Sequence, residues 1–205
     1  MNIFILASSI IVIILISVNS RRQKKESAND EKDFWARERR ANSVRRKSLE
    51  GLNYIMIPLE SFPTHVLQQN SVVMECIEIL EALTSQKIVN FTGYSNTDLK
   101  LEYGAANINL LSEYDQNFTL LVRTLQKWAD VLIEAGYMEE ACILMEYAVN
   151  VGSDVSRTYD QLAEYYASLD DSAGISRLRY MAENLNSASR NIILRHLNQF
   201  DKSIQ

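Results

Sequence analysis

The chain is short of residues that interrupt helices, with two prolines and six glycines in 205 residues. Both prolines, Pro58 and Pro63, fall in one short stretch, so only that stretch is barred from a continuous helix. From Val66 onward the apolar residues recur at three- and four-residue steps instead of alternating, which argues against a sheet protein and predicts an all-α fold. Cysteine and histidine are equally scarce. Cys76 and Cys142 each lie in a helical apolar pattern with no second thiol or histidine at ligand spacing. Both read as buried free thiols, as in a reducing compartment. His65 and His196 stand near opposite ends of the polar part of the chain, so each reads as a surface or end-cap residue. The sequence has no GxxxxGK[ST], GxGxxG, CxxC or GxSxG, so nothing points to a phosphate loop, a dinucleotide site, a redox dithiol or a nucleophile elbow. No catalysis, cofactor or metal is expected.

Charge is present but unevenly placed. Residues 21–47 carry 11 Lys and Arg against 5 Asp and Glu, whereas residues 48–205 carry 10 against 21. A basic stretch confined to one end suits a local anionic surface, and an acidic body argues against nucleic-acid binding.

Before the basic stretch, residues 3–18 read IFILASSIIVIILISV, with no charge and only Ser8, Ser9 and Ser17 as polar interruptions. With its flanks the run reaches about 20 residues, roughly the 30 Å of a bilayer core, and predicts a transmembrane anchor over residues 1–20. A cleaved signal would need a basic start and a small-x-small exit, and Met1-Asn2 supplies no basic side chain. Arg21, Arg22, Lys24 and Lys25 follow at once, so the positive-inside rule predicts a single-pass protein of the cell membrane with a cytoplasmic body.

Residues 21–50 form a basic juxtamembrane segment. Its stretch from 26 to 50 lacks Gly and Pro, opens with Ser27, Asn29 and Asp30 as capping residues, and is expected to be helical. Two readings of it stand. In one it lies on the cytoplasmic leaflet, with Trp35 near the headgroups and Arg21, Arg22, Lys24 and Lys25 against anionic lipid. In the other it is a solvated spacer that fixes topology.

A period of 34 residues runs through the last part of the chain. Leu125, Trp128, Ala129 and Leu132 recur as Tyr159, Leu162, Ala163 and Tyr166, while Leu144, Ala148 and Ser153 recur as Leu178, Ala182 and Ser187. Each unit reads as two apolar helical faces around a turn, at Gly136-Tyr137 in the first, with small residues where helices would approach closely. On these residues the chain resembles the tetratricopeptide repeat family. Residues 122–155 follow that pattern well. Residues 156–189 follow it less closely: Asp170 replaces the turn glycine, Ile175 replaces a small residue, Arg179 replaces a large apolar one, and Ser187 stands for the frequent proline. The resemblance implies stacked helical hairpins that bind proteins.

Upstream, residues 51–121 are helical without a clear repeat signature. Val73, Cys76, Ile77, Leu80 and Leu83 mark one helix, Ser95 to Asp98 an N-cap, and a region from about 97 to 113 a second helix broken near Gly104. A turn is expected at Tyr114 to Asn117, leading into the repeats and capping helix of residues 122–205. Glu139-Glu140 and Asp170-Asp171 read as helix-start charges. Among the tyrosines, Tyr159 and Tyr166 fall on in-phase core positions, which leaves Tyr147 and Tyr165 as candidate contacts for a protein partner. The expected function is a membrane-anchored protein-interaction adaptor. The alternative is an auxiliary subunit whose span packs into a larger membrane complex.

Overall fold

A computed structural model describes residues 30–201. These residues are all-helical, with no strand among them. They divide into two units, one of residues 30–47 with 95–108 and one of residues 48–94 with 109–201. Among the described residues no helix is long and apolar enough to cross a membrane. The apolar run at 3–18 and the cluster Arg21, Arg22, Lys24 and Lys25 lie outside the described residues.

In the first unit, helix α1 covers residues 30–43 and is followed by non-helical chain. Its partner α3 runs Asn96–Tyr103. The expected helix of 26–50 therefore stops short, and its end has a cause. Lys47 N–H donates to the Tyr103 carbonyl at 3.0 Å, while wholly buried Asn107 accepts from Arg46 Nε at 2.9 Å and donates to the Lys47 and Tyr103 carbonyls. These bonds hold residues 46 and 47 in a stretch that a continuing helix could not reach. Gly104, at φ +91, lets that stretch pass: a Cβ there would lie 2.3 Å from the Arg45 carbonyl oxygen. Helix α3 starts at the N-cap expected from sequence, with Ser95 and Asp98 forming a reciprocal capping box.

The second unit holds α2 (Ser71–Thr84), most of α4 (Ile108–Glu134), α5 (Met138–Asn150), α6 (Ser156–Ser168), α7 (Ser172–Glu183) and α8 (Arg190–Asp201). Asn70 caps α2 by accepting from the Val72 and Val73 amides. The residues that marked α2 in the sequence, Val73, Cys76, Ile77, Leu80 and Leu83, are its buried face. Its neighbour is α4, to which Glu75 reaches through Lys127 at 2.7 Å. Residues 96–103, expected in sequence as the start of the helical region after α2, belong to the first unit instead.

The turn expected at Tyr114 to Asn117 is absent, because α4 runs unbroken for 27 residues. Tyr114 and Phe118 continue the buried face of Leu111, Leu121 and Leu125. The polar residues between them tie down a loop instead: Asp115 accepts from the Phe91 amide at 3.2 Å, and Asn117 donates to the Lys87 carbonyl at 3.0 Å.

From α4 onward the elements repeat. Helix α4 ends at 134 and α6 at 168, α5 begins at 138 and α7 at 172, and α6 begins at 156 and α8 at 190, each pair 34 residues apart. Leu125, Trp128, Ala129, Leu132, Leu144 and Ala148 are all buried, as are their counterparts 34 positions on. The turn residues match in backbone as well. Gly136 has φ +86, and Asp170 in its place takes φ +55. Where Ile175 stands for a small residue, the neighbouring Gly174 provides the close approach, since a Cβ there would lie 2.8 Å from the Tyr166 ring. The closing helix α8 seals the stack with wholly buried Ile193 and Leu197, and His196 Nδ1 lies 3.0 Å from Asp160 on α6.

Candidate docking cleft

Two helices that are equivalent under the 34-residue period, α5 and α7, end close to the same loop. Asn150 closes α5, and Asn184, 34 positions later, is the C-cap of α7. Against these ends lies the loop after α2. Asn90 donates to the carbonyls of Val151 and Gly152 at 3.2 and 3.0 Å and accepts from the Thr92 amide at 2.8 Å. Close approach again depends on glycine. A Cβ on Gly93 (φ +88) would meet the Asn186 carbonyl oxygen at 2.1 Å, and one on Gly152 (φ +84) would meet Asn90 Nδ2 at 2.8 Å.

The result is an open cleft of about 460 Å³ in the second unit, walled by Tyr147 and the extended stretch 53–56 and lined by Asn53, Asn90, Asn150, Asn184 and Asn186. No hydrogen bond among the described residues uses the side chains of Asn53, Asn150 or Asn186. Each therefore presents a carbonyl acceptor and an amide donor to whatever enters. Met56, 80% exposed, stands on the rim. The lining contains no carboxylate, histidine, cysteine or lysine. Its one titratable group, the Tyr147 phenol, is pushed up to about 12 by burial. The cleft is thus uncharged across the physiological range. It offers hydrogen bonds and apolar contact, not proton transfer or nucleophilic attack.

Of the two tyrosines expected to contact a partner, Tyr147 lines this cleft and Tyr165 does not. Tyr147 is partly committed to the fold: its hydroxyl donates to the Met56 carbonyl at 2.9 Å and its ring packs edge-on against Phe62, centroids 5.2 Å apart. Tyr165 is half-buried beside Tyr166, with Glu139, Cys142 and Glu146 near enough to raise its pKa after the effect of burial. Trp35 is exposed in the first unit. Among the described residues no cluster of three or more His, Cys, Asp or Glu could hold a metal ion.

Beyond Asn150, which borders both, a second cleft of about 410 Å³ runs between α5 and α7. There Arg177 lies 6.0 Å from the Tyr166 ring and 4.0 Å from Glu146, and the Tyr166 hydroxyl donates to Glu146. Beneath it Cys142 is buried and its thiol is pushed up to about 11, first by burial and then by Glu146. Such a thiol is poorly nucleophilic.

The asparagines leave no mark in the sequence pattern because each lies in a loop or at a helix end with no periodicity of its own. The signal that could have found two of them was the period itself, which places Asn150 and Asn184 in register. No family model, curated protein or solved structure matches the chain.

Proposed function

We propose that the chain is a membrane-anchored docking adaptor, whose tetratricopeptide-like hairpins hold an extended segment of a protein partner in the asparagine-lined cleft. The observation that carries the reading is the set of amides left unused by the fold around an uncharged cleft. An extended peptide has one donor and one acceptor per residue, and side-chain amides complement both at once. The exposed Met56 on the rim supplies adaptable apolar contact. Absence of a charged group from the lining favours docking over chemistry. Residues 3–18 would hold the chain at the membrane, and the basic residues after them would keep the body on the cytoplasmic side.

The reading is tested with the full chain purified from its native membranes. The double substitution Asn150→Ala with Asn186→Ala should cut recovery of a specific partner tenfold or more, by loss of hydrogen bonds worth about 1 kcal/mol each and of their shared alignment, while helix content stays unchanged. Tyr165→Ala in parallel reports any contact outside the cleft. Unchanged recovery with the asparagine pair removed would reject the cleft. Crosslinks confined to residues 3–18 would instead support an auxiliary subunit packed through its span.

A further inference from the structure

Helix α1 in the first unit has two unlike faces. One is consumed by α3: Ala41 is wholly buried, Glu38 accepts from Thr97 at 2.6 Å and from Lys100, and Arg37 reaches Asp98 at 2.6 Å. At about 100° per residue, the opposite face presents Lys32, Trp35, Arg39 and Ser43, and at its edge Ala36 and Arg40 line an open groove shared with Leu101 of α3. All six are exposed, and none is a carboxylate. Among the described residues Lys32, Arg39 and Arg40 have no ion-pair partner. The fold has therefore sorted the charges, neutralising Arg37 against α3 and leaving the outward cations free. Trp35, 51% exposed and stacked edge-on with the equally open Phe34, adds an amphipathic ring to that cationic face.

We propose that this face of α1 binds the anionic headgroup surface of a bilayer, with Lys32, Arg39 and Arg40 against lipid phosphates and Trp35 at the headgroup level. The inference rests on the reading of residues 3–18 as a membrane segment, because that segment brings α1 to the bilayer within about ten residues of chain. Charge complementarity selects the occupant. A cationic face with an exposed indole suits an anionic interface, whereas the net charge of −11 over residues 48–205 would repel a nucleic acid spreading beyond the helix.

The two tryptophans make the test direct, since Trp128 is wholly buried in the second unit and Trp35 is open. Full-length chain is reconstituted into vesicles of phosphatidylcholine alone or with phosphatidylglycerol, each with acyl chains brominated near the headgroup, and Trp35→Phe identifies the Trp128 background. Trp35 emission should shift to the blue and be quenched only with the anionic lipid. The effect should vanish at molar salt, where the Debye length is about 3 Å. Lys32→Gln, Arg39→Gln and Arg40→Gln should each lower the surface-bound ratio about fivefold. Equal quenching in both lipids, or none in either, would overturn the proposal. Protection of Trp35 by added RNA in place of lipid would reassign the face to nucleic acid. Flotation of the same samples separates the underlying reading: a chain that floats with both vesicle types without quenching keeps its anchor and loses the lipid face, and one that floats with neither loses both.

Discussion

Asn107 shows how a single side chain can end a helix far from it in sequence. It is wholly buried, yet its amide is satisfied by Arg46 and by the carbonyls of Lys47 and Tyr103. Asn107→Ala removes these bonds, costs the Lys47 carbonyl its amide donor and the Arg46 guanidinium its acceptor, and leaves Tyr103 with the Lys47 N–H, at a cost of about 2 kcal/mol. Hydrogen exchange at the Lys47 amide should quicken roughly thirtyfold in that variant, while exchange in α5 and α6 stays unchanged. Asp170 illustrates the reverse case, a residue that the fold tolerates without need. Its φ of +55 is the conformation Gly136 takes one repeat earlier, so Asp170→Gly should raise stability by about 0.5 to 1 kcal/mol. A thermal melt that falls instead would mean that the Asp170 carboxylate has a role its backbone does not show. The two residues differ in how far the sequence announces them. A hydrogen bond from residue 107 to residue 47 leaves no periodic trace in the chain, whereas the mismatch of Asp170 with its glycine counterpart does.

At the scale of elements, the repeat is the part that periodicity reveals best. Ala129 and Ala163 are wholly buried, as expected of small residues at helix contacts. Leucine at either position should cost about 1 to 3 kcal/mol by overpacking. The adjacent pair Tyr165 and Tyr166 should separate in the same way: Tyr166→Ala, which empties a buried site, should lower stability by about 3 kcal/mol or more, and the half-buried Tyr165 should cost less. Equal losses would show that α6 is rotated away from the orientation that buries Tyr166. Helix α1 depends on charge as well as packing. Lys100 and then Thr97 hold the Glu38 carboxyl below its ordinary 4.5, and Ser95 and, more weakly, Arg37 hold Asp98 below 3.8. Because both pKa values are depressed in the fold, the stabilisation is present above those ordinary values and is lost as pH falls through the lower folded ones. The protection factors of α1 amides should therefore fall below about pH 4, and more steeply than those of α6. Two elements misled periodicity. Asp115 and Asn117 look like turn residues, yet they lie on a continuous α4 and bind a loop 24 and 30 residues before them. The end of α1 at residue 43 follows from contacts with residues 103–107, which no local pattern announces.

For the whole molecule, the class of fold was legible in the scarcity of Pro and Gly and in the helical spacing, but the cleft was not. It is assembled from four separated segments, and the residues that shape it are glycines at positive φ and asparagines in loops and at helix ends. The buried ionisable groups set a limit at high pH. Cys142 is raised from 9.0 to about 11 and Tyr147 from 10.0 to about 12, both by burial first. Raised values of this kind stabilise the fold fully below the unfolded pKa and lose that contribution as pH climbs toward the folded one. Unfolding free energy should thus be steady near neutrality and decline from about pH 9 upward, a trend a urea titration at stepped pH can follow. The same uncharged lining predicts that partner affinity varies little between pH 6 and about 8.5, and little with salt, in contrast to the lipid contact proposed for α1.

The central claim, that the asparagine-lined cleft is where a partner lies, is tested most directly by site-specific photocrosslinking in native membranes. A photoreactive residue is placed in turn at Asn53, at Asn186 and, as an exposed control on the same unit, at Gln69. Positions 53 and 186 should crosslink to one short segment of the same protein, Gln69 should not, and Asn150→Ala should weaken both crosslinks. Capture from Gln69 as efficient as from the cleft, or none from positions 53 and 186 while the partner is still bound, would contradict it.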